Sequence, residues 1–178
     1  MVWEDTETTN DQLTANGGIV RLGINISQSG GISATTRFET GALILSLIDL
    51  LERSNRRVEL TLYNAVNGSG GAYIRQQVMV KQADSPVNLS ILAFAFANAA
   101  TQRRLCFAVR ETLDAETRNA CSIKMSGTMG QTDPNWHGID SHGITALKGV
   151  GSATYNQEAR VQWLQAQLKE QGIEWDGK

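Results

Sequence analysis

The stretch from Ile19 to Asn55 constrains this chain more than any other, because it reads as one strand, one turn and one long helix in direct succession. Ile19, Val20, Leu22, Ile24 and Ile26 make a nearly continuous apolar run, which fits a strand covered on both faces rather than a half-exposed one. The turn Asn25-Ile26-Ser27-Gln28-Ser29-Gly30-Gly31 follows. A helix is then expected from Thr35 or Thr36 to Ser54, with Leu43, Leu47 and Leu50 beside Ile44, Ile48 and Leu51 as a broad apolar stripe. In an open α/β sheet, ligands bind in the crevice beyond the carboxyl ends of the strands, and this turn belongs there. Its oxygen-bearing side chains on alternate residues suit a hard cation or an anion at a helix start.

Elements of both kinds continue along the chain. Arg57 to Tyr63 alternates Val58, Leu60 and Leu62 with Glu59, Thr61 and Tyr63, and Tyr73 to Lys81 continues that period of two. The turn signals Asn67-Gly68 and Gly70-Gly71 between them predict a hairpin, hence an antiparallel edge on a parallel sheet. Asp84-Ser85-Pro86 predicts a second helix, with serine as its cap and proline at its first position. Leu89, Leu92, Ala93, Phe96 and Ala97 would form its inner face. A fourth strand is expected over Leu105 to Val109, followed by a turn with Glu111, Thr112 and Asp114. From Thr117 to Gly151, glycines break every pattern, leaving Cys121 to Met125 as a short strand and Ile144 to Val150 as the last sheet strand. A final helix spans about Asn156 to Gln171, with Val161, Leu164 and Leu168 inward and Gly172 beyond its end. Residues 1–18 carry four carboxylates and no basic group, so they read as an acidic arm before a single domain over 19–178. The fold class expected is α/β: a three-layer Rossmann-like sandwich with a mainly parallel sheet and one antiparallel hairpin edge.

The region from Ile19 to Asp114 resembles a von Willebrand factor A-type domain in the order and spacing of its elements. That family places an Asp-x-Ser-x-Ser turn after its first strand, and Asn25-Ile26-Ser27-Gln28-Ser29 falls there. Ser27 and Ser29 match, Asn25 replaces the acid, and Glu111 stands where an acid after the fourth strand is expected. Near the second helix Asp84, Ser85 and Asn88 are available, but not the family's threonine. The resemblance therefore implies a degenerate magnesium or manganese site at Asn25, Ser27, Ser29 and Glu111. The loss of the first carboxylate removes much of the charge that would hold a divalent cation. The competing reading is that these side chains satisfy backbone groups in a tight turn.

Other motifs are sparse. Asp133, His137, Asp140 and His142 gather two imidazoles and two carboxylates in one glycine-broken stretch, types that serve metal or acid–base chemistry. Neither a Walker loop, nor a dinucleotide fingerprint, nor a nucleophile elbow is present. Cys106 and Cys121 make neither a disulfide framework nor a zinc pattern, and Cys106 reads as a small core residue. Phe94, Phe96 and Phe107 lie in apolar runs and read as core. A net charge of −2 gives no general attraction to nucleic acid or anionic membrane, and Arg53, Arg56 and Arg57 are explained as favourable charges at a helix carbonyl end. With no basic-then-apolar leader, a cytoplasmic location is expected. The function expected is a non-enzymatic protein-interaction or scaffolding module in a larger assembly, with a protein partner, homo-oligomers included, and no required cofactor. The alternatives are a metal-dependent adhesion or chaperone-like module and a metal-dependent hydrolase using the His137–His142 loop.

Overall fold

The structure, a computed structural model, describes residues 18–27, 32–67, 73–98, 100–121, 123–124, 128–129, 131–132, 143–148, 150, 154 and 156–176. The acidic arm through residue 17, Ser29 and the His137–His142 loop lie outside these. The fold is a Rossmann-like α/β sandwich, mainly parallel with one antiparallel hairpin edge. Strand β1, Ile19–Asn25, lies between β2, Arg57–Asn67, and β7, Thr145–Ala146, and runs parallel to both. Strand β3, Tyr73–Lys81, pairs antiparallel with β2 and ends the sheet order β3-β2-β1-β7. Beyond the end of β1, the short β6, Gln131–Thr132, takes up the edge of β2 at Val66 and Asn67. Two further two-residue strands, β4 at Ile123–Lys124 and β5 at Thr128–Met129, pair antiparallel with each other and, among the described residues, stand apart from the main sheet.

Helix α1 spans Ala34–Arg53, and the sequence explains both of its ends. Ser33 Oγ accepts from Thr36 N at 3.0 Å, satisfying one of the amide donors that a helix start leaves over. Asn55, at φ 60°, takes the left-handed turn that stops it. Leu43, Ile44, Leu47, Ile48 and Leu51 are all buried, so the predicted stripe is the one that packs. They meet Val20, Leu22, Ile24, Val58, Leu60 and Leu62, whose even numbering places them on a single sheet face. Helix α5, Gln157–Glu170, adds Leu164 and Leu168 to this core and is capped by Asn156, with Gly172 at φ 71° after it. On the opposite sheet face Thr61, Tyr63 and Ala65 are also buried, so the sheet is covered on both sides there.

Two expected elements differ. Helix α2 spans Leu89–Ala97 and is capped by Asn88, whose Oδ1 accepts from Ile91 N at 3.1 Å, rather than by Ser85. Ser85 is held in the preceding turn, where its carbonyl accepts from Lys81 Nζ at 3.1 Å. The fourth strand over Leu105 to Val109 does not form. Thr101–Cys106 is a π-helical turn that continues into α3, Phe107–Glu111, and α4 follows at Ala115–Ala120. Leu105, Phe107 and Val109 do alternate, but their run is short enough to satisfy either period.

Helices α1 and α2 approach closely at Gly41, where an added Cβ would lie 2.9 Å from Phe96 Cβ. An alanine would gain about 1 kcal/mol of helix propensity over glycine. The opposing atom is a Cβ fixed to the α2 backbone, so relief requires the helices to separate. Gly41→Ala is therefore expected to destabilise by about 1–3 kcal/mol, in the range of overpacked cores. Urea unfolding measures this, and a gain in stability would show that α2 yields freely.

Candidate functional site

Two concave regions meet near the carboxyl ends of the strands. The first is the crevice where the sequence places a cation. Asn25 Oδ1 accepts from Ser27 N at 3.0 Å and from Ala65 N at 3.4 Å. The amide oxygen that would face a metal thus closes the turn and ties β1 to β2, as an Asx turn does. Ser27 is buried beside it, and Ser29 lies outside the described residues. Glu111 does not follow a strand; it is the exposed last residue of α3, and its carbonyl accepts from Arg118 Nη1 at 3.5 Å. Among the described residues, no three of histidine, cysteine, aspartate and glutamate gather to hold a metal.

The residue that sequence reasoning missed here is Arg37. Its side chain is buried and lines, with Asn25, Thr40 and Asn98, a cavity of about 20 Å³. Such a space holds a single water rather than a hydrated ion. A guanidinium in this crevice repels a divalent cation and favours an anionic neighbour. The available signal was position: a cation in the second turn of a helix opposes the helix dipole, so another interaction must hold it there. Magnesium or manganese at millimolar concentration is accordingly expected to leave the melting temperature unchanged. A ligand at 100 times its dissociation constant would stabilise by about 2.7 kcal/mol, so a flat thermal scan is informative. Asn25→Asp is expected to stay flat as well, since Arg37 already supplies the countercharge. A magnesium-dependent rise abolished by Ser27→Ala would restore the cation reading.

The second region is larger and apolar. A groove of about 550 Å³ runs between the β2–β3 hairpin, α2 and the π turn with α3. Leu62, Ile74, Val78, Phe94, Leu105, Val109 and Leu113 line it. Phe94, Leu105, Val109 and Val78 are between 44% and 57% exposed, so large apolar side chains stand in water around one concavity. This corrects the core reading of Phe94; Phe96 is buried and Phe107 half-buried. Ligand pockets are typically of this size and composition.

One wall of the groove is fixed by a polar network. Gln76 Nε2 donates to Cys106 O at 2.8 Å, while its Oε1 accepts from Asn64 Nδ2 at 3.1 Å and from Arg110 Nε at 3.2 Å. Thr101 Oγ1 donates to Phe94 O at 2.8 Å, tying the π turn to α2. π turns frequently occur at functional sites, and here the Cys106 carbonyl receives a side chain from β3. Arg110 is fully buried, and burial pulls its guanidinium below the ordinary arginine value, an effect that neighbouring Cys106 and Cys121 partly offset. Burial also pushes the Cys106 thiol up, against smaller opposing effects of Asn64 and Arg110. A thiol shifted upward is protonated at neutral pH and a poor nucleophile, so Cys106 acts as a wall of the groove.

Nothing in these two regions assembles a nucleophile, base and oxyanion donor among the described residues. No described helix is long and apolar enough to cross a membrane. Neither a curated protein nor a solved structure matches the chain. Residues 6–174 match one protein family, and the chain belongs to it: the domain of unknown function DUF7192.

Proposed function

We propose that this chain is a protein-interaction module of von Willebrand A-like type, whose metal turn has become structural and whose partner docks in the apolar groove. The observation that carries the reading is the groove itself, where Phe94, Leu105 and Val109 hold apolar area out in solvent on a scaffold fixed by Gln76 and Arg110. Exposed apolar concavities of this kind mark interaction or ligand sites. The mainly parallel sheet with a hairpin edge and the Asn25 turn support the family resemblance. The helix at Leu105 to Val109, in place of a fourth strand, is where the chain departs from it.

The test uses Phe94→Arg and Leu105→Arg, which change exposed residues only. The wild type is expected to co-purify with one discrete polypeptide from its native cells, and both variants are expected to melt like the wild type and to lose it. Equal recovery by the wild type and both variants would contradict the proposal.

A further inference from the structure

The apolar groove does not end at Ile91. A second, more open hollow of about 660 Å³ adjoins it, and Val80 and Ile91 line both. Met79, Leu89 and Ile91, between 48% and 64% exposed, carry the apolar surface past the start of α2. Most of the large apolar side chains exposed among the described residues line these two hollows; Ile19, Ile32 and Phe38 are the others. A concentration of this kind marks an interaction surface, whereas scattered apolar residues do not. Together the hollows follow β3 from Ile74 to Lys81, about 24 Å at the rise of a strand.

The polar groups of the lining limit what can lie there. Gln76 spends both its amide atoms on Cys106 O, Asn64 and Arg110, and the Thr101 hydroxyl is given to Phe94 O. Asn64 Oδ1 is a buried acceptor with no hydrogen-bond partner, a single point in the floor. An extended chain would find no row of side-chain donors and acceptors in the described lining, and leaving its backbone groups unpaired is costly. A helix arrives with its backbone bonds already made within itself. The gap also has a helix's place in a layered sandwich. Leu62 and Val78 form its floor on the sheet face that α2 packs against, and α2 and α3 stand as its walls. The rim carries carboxylates at both ends: Glu111 and Asp114 are exposed on either side of Leu113, and Asp84 is exposed before Ser85. Among the described cations nearby, Lys81 is held by Glu52, Arg110 by Gln76 and Arg75 over Tyr63, while Arg104 is exposed beside Leu105.

Building on the groove as a docking site, we propose that its occupant is a single amphipathic helix of a partner protein, apolar on the face it buries and basic at both ends. A length of about 16 residues spans the two hollows at 1.5 Å per residue. Apolar side chains at i, i+3, i+4 and i+7 of that helix meet Val78, Phe94 and Leu105 in the groove and Leu89 beyond it. Its basic ends answer Glu111 and Asp114 on one side and Asp84 on the other, which sets its place along the groove.

The test uses synthetic peptides of that length and fluorescence anisotropy on the full chain. One peptide carries leucine at helical spacing with lysine at both ends. A second has the same composition in strict alternation, and a third repeats the helical pattern with glutamate ends. The first is expected to bind, and the other two to bind at least roughly tenfold more weakly. Leu89→Arg and Leu105→Arg, which change exposed residues in the two hollows, are each expected to weaken the first peptide roughly tenfold or more. Glu111→Lys is expected to weaken the lysine-ended peptide and to strengthen the glutamate-ended one. No binding of the first peptide, or equal binding of the alternating one, as an added strand would give, overturns the proposal. So does a loss at Leu105→Arg alone, or indifference of the peptides to Glu111→Lys. The groove is judged separately: a polypeptide that co-purifies with the wild type and not with Phe94→Arg leaves it standing as a docking site whatever these peptides do.

Discussion

Replacing Leu47 with alanine is expected to cost about 2–5 kcal/mol, enough to threaten a domain of ordinary stability. Leu47 is fully buried in the middle of α1, with Ile44, Ile48 and Leu51 equally enclosed around it. Truncation loses the transfer free energy of the deleted carbons and adds a cavity term. The cavity term should be large here because α1 is pressed on the sheet and held by α2 at Gly41. Chemical denaturation measures the loss. A value below about 1 kcal/mol would mean that the core collapses easily around the gap, or that α1 contributes little.

Lys81→Ala is expected to be of similar size, about 3–5 kcal/mol, for a different reason. The Lys81 side chain is 2% exposed, yet its ammonium is answered on every side. Glu52 supplies the countercharge at 2.6 Å, and the carbonyls of Val58, Gln82 and Ser85 accept at 3.0, 3.3 and 3.1 Å. This cluster joins the end of α1, the end of β3 and the turn before α2. Removing the amine leaves buried carbonyls unanswered, each costing on the order of 1–3 kcal/mol. Glu52→Ala should cost less, because Lys81 keeps its carbonyls and Glu52 is partly exposed. Urea unfolding of both variants and their double mutant separates the contributions. A loss for Lys81→Ala smaller than that for Glu52→Ala would show that the ion pair, not the carbonyl cluster, matters.

The parts of the fold legible in the sequence were those with an unambiguous period and clear end signals. Helix α1 announced itself by a stripe long enough that no strand could hold it, and the β2–β3 hairpin by alternation on both sides of glycine turns. The run Leu105 to Val109 failed because five residues fit either period, and only the tie of Gln76 to Cys106 O and Arg110 shows which one prevails. Ser85 was misread as a cap because Asp84-Ser85-Pro86 is a good start signal locally. Lys81, reaching back to the Ser85 carbonyl, holds that segment as a turn instead.

The candidate site divides the same way. Asn25 and Ser27 were correctly located at the end of β1, since the strand and helix around them were legible, but their partners were not. Arg37 enters that crevice through packing across the top of the sheet; its place early in α1 marks it as unusual, but no local pattern says what it reaches. The groove was invisible for a deeper reason. Phe94 and Leu105 have the composition of core residues, and sequence carries no direct mark of an apolar side chain left uncovered.

Site-specific photo-crosslinking from Leu105 tests most directly whether a protein partner sits in this groove. A photoreactive residue at Leu105, introduced in the native cells, is expected to capture one discrete polypeptide. The same probe at Gln162, exposed on α5, is expected to capture none, and Phe94→Arg should abolish the Leu105 product. No adduct from Leu105, or the same adducts from both positions, would contradict the claim.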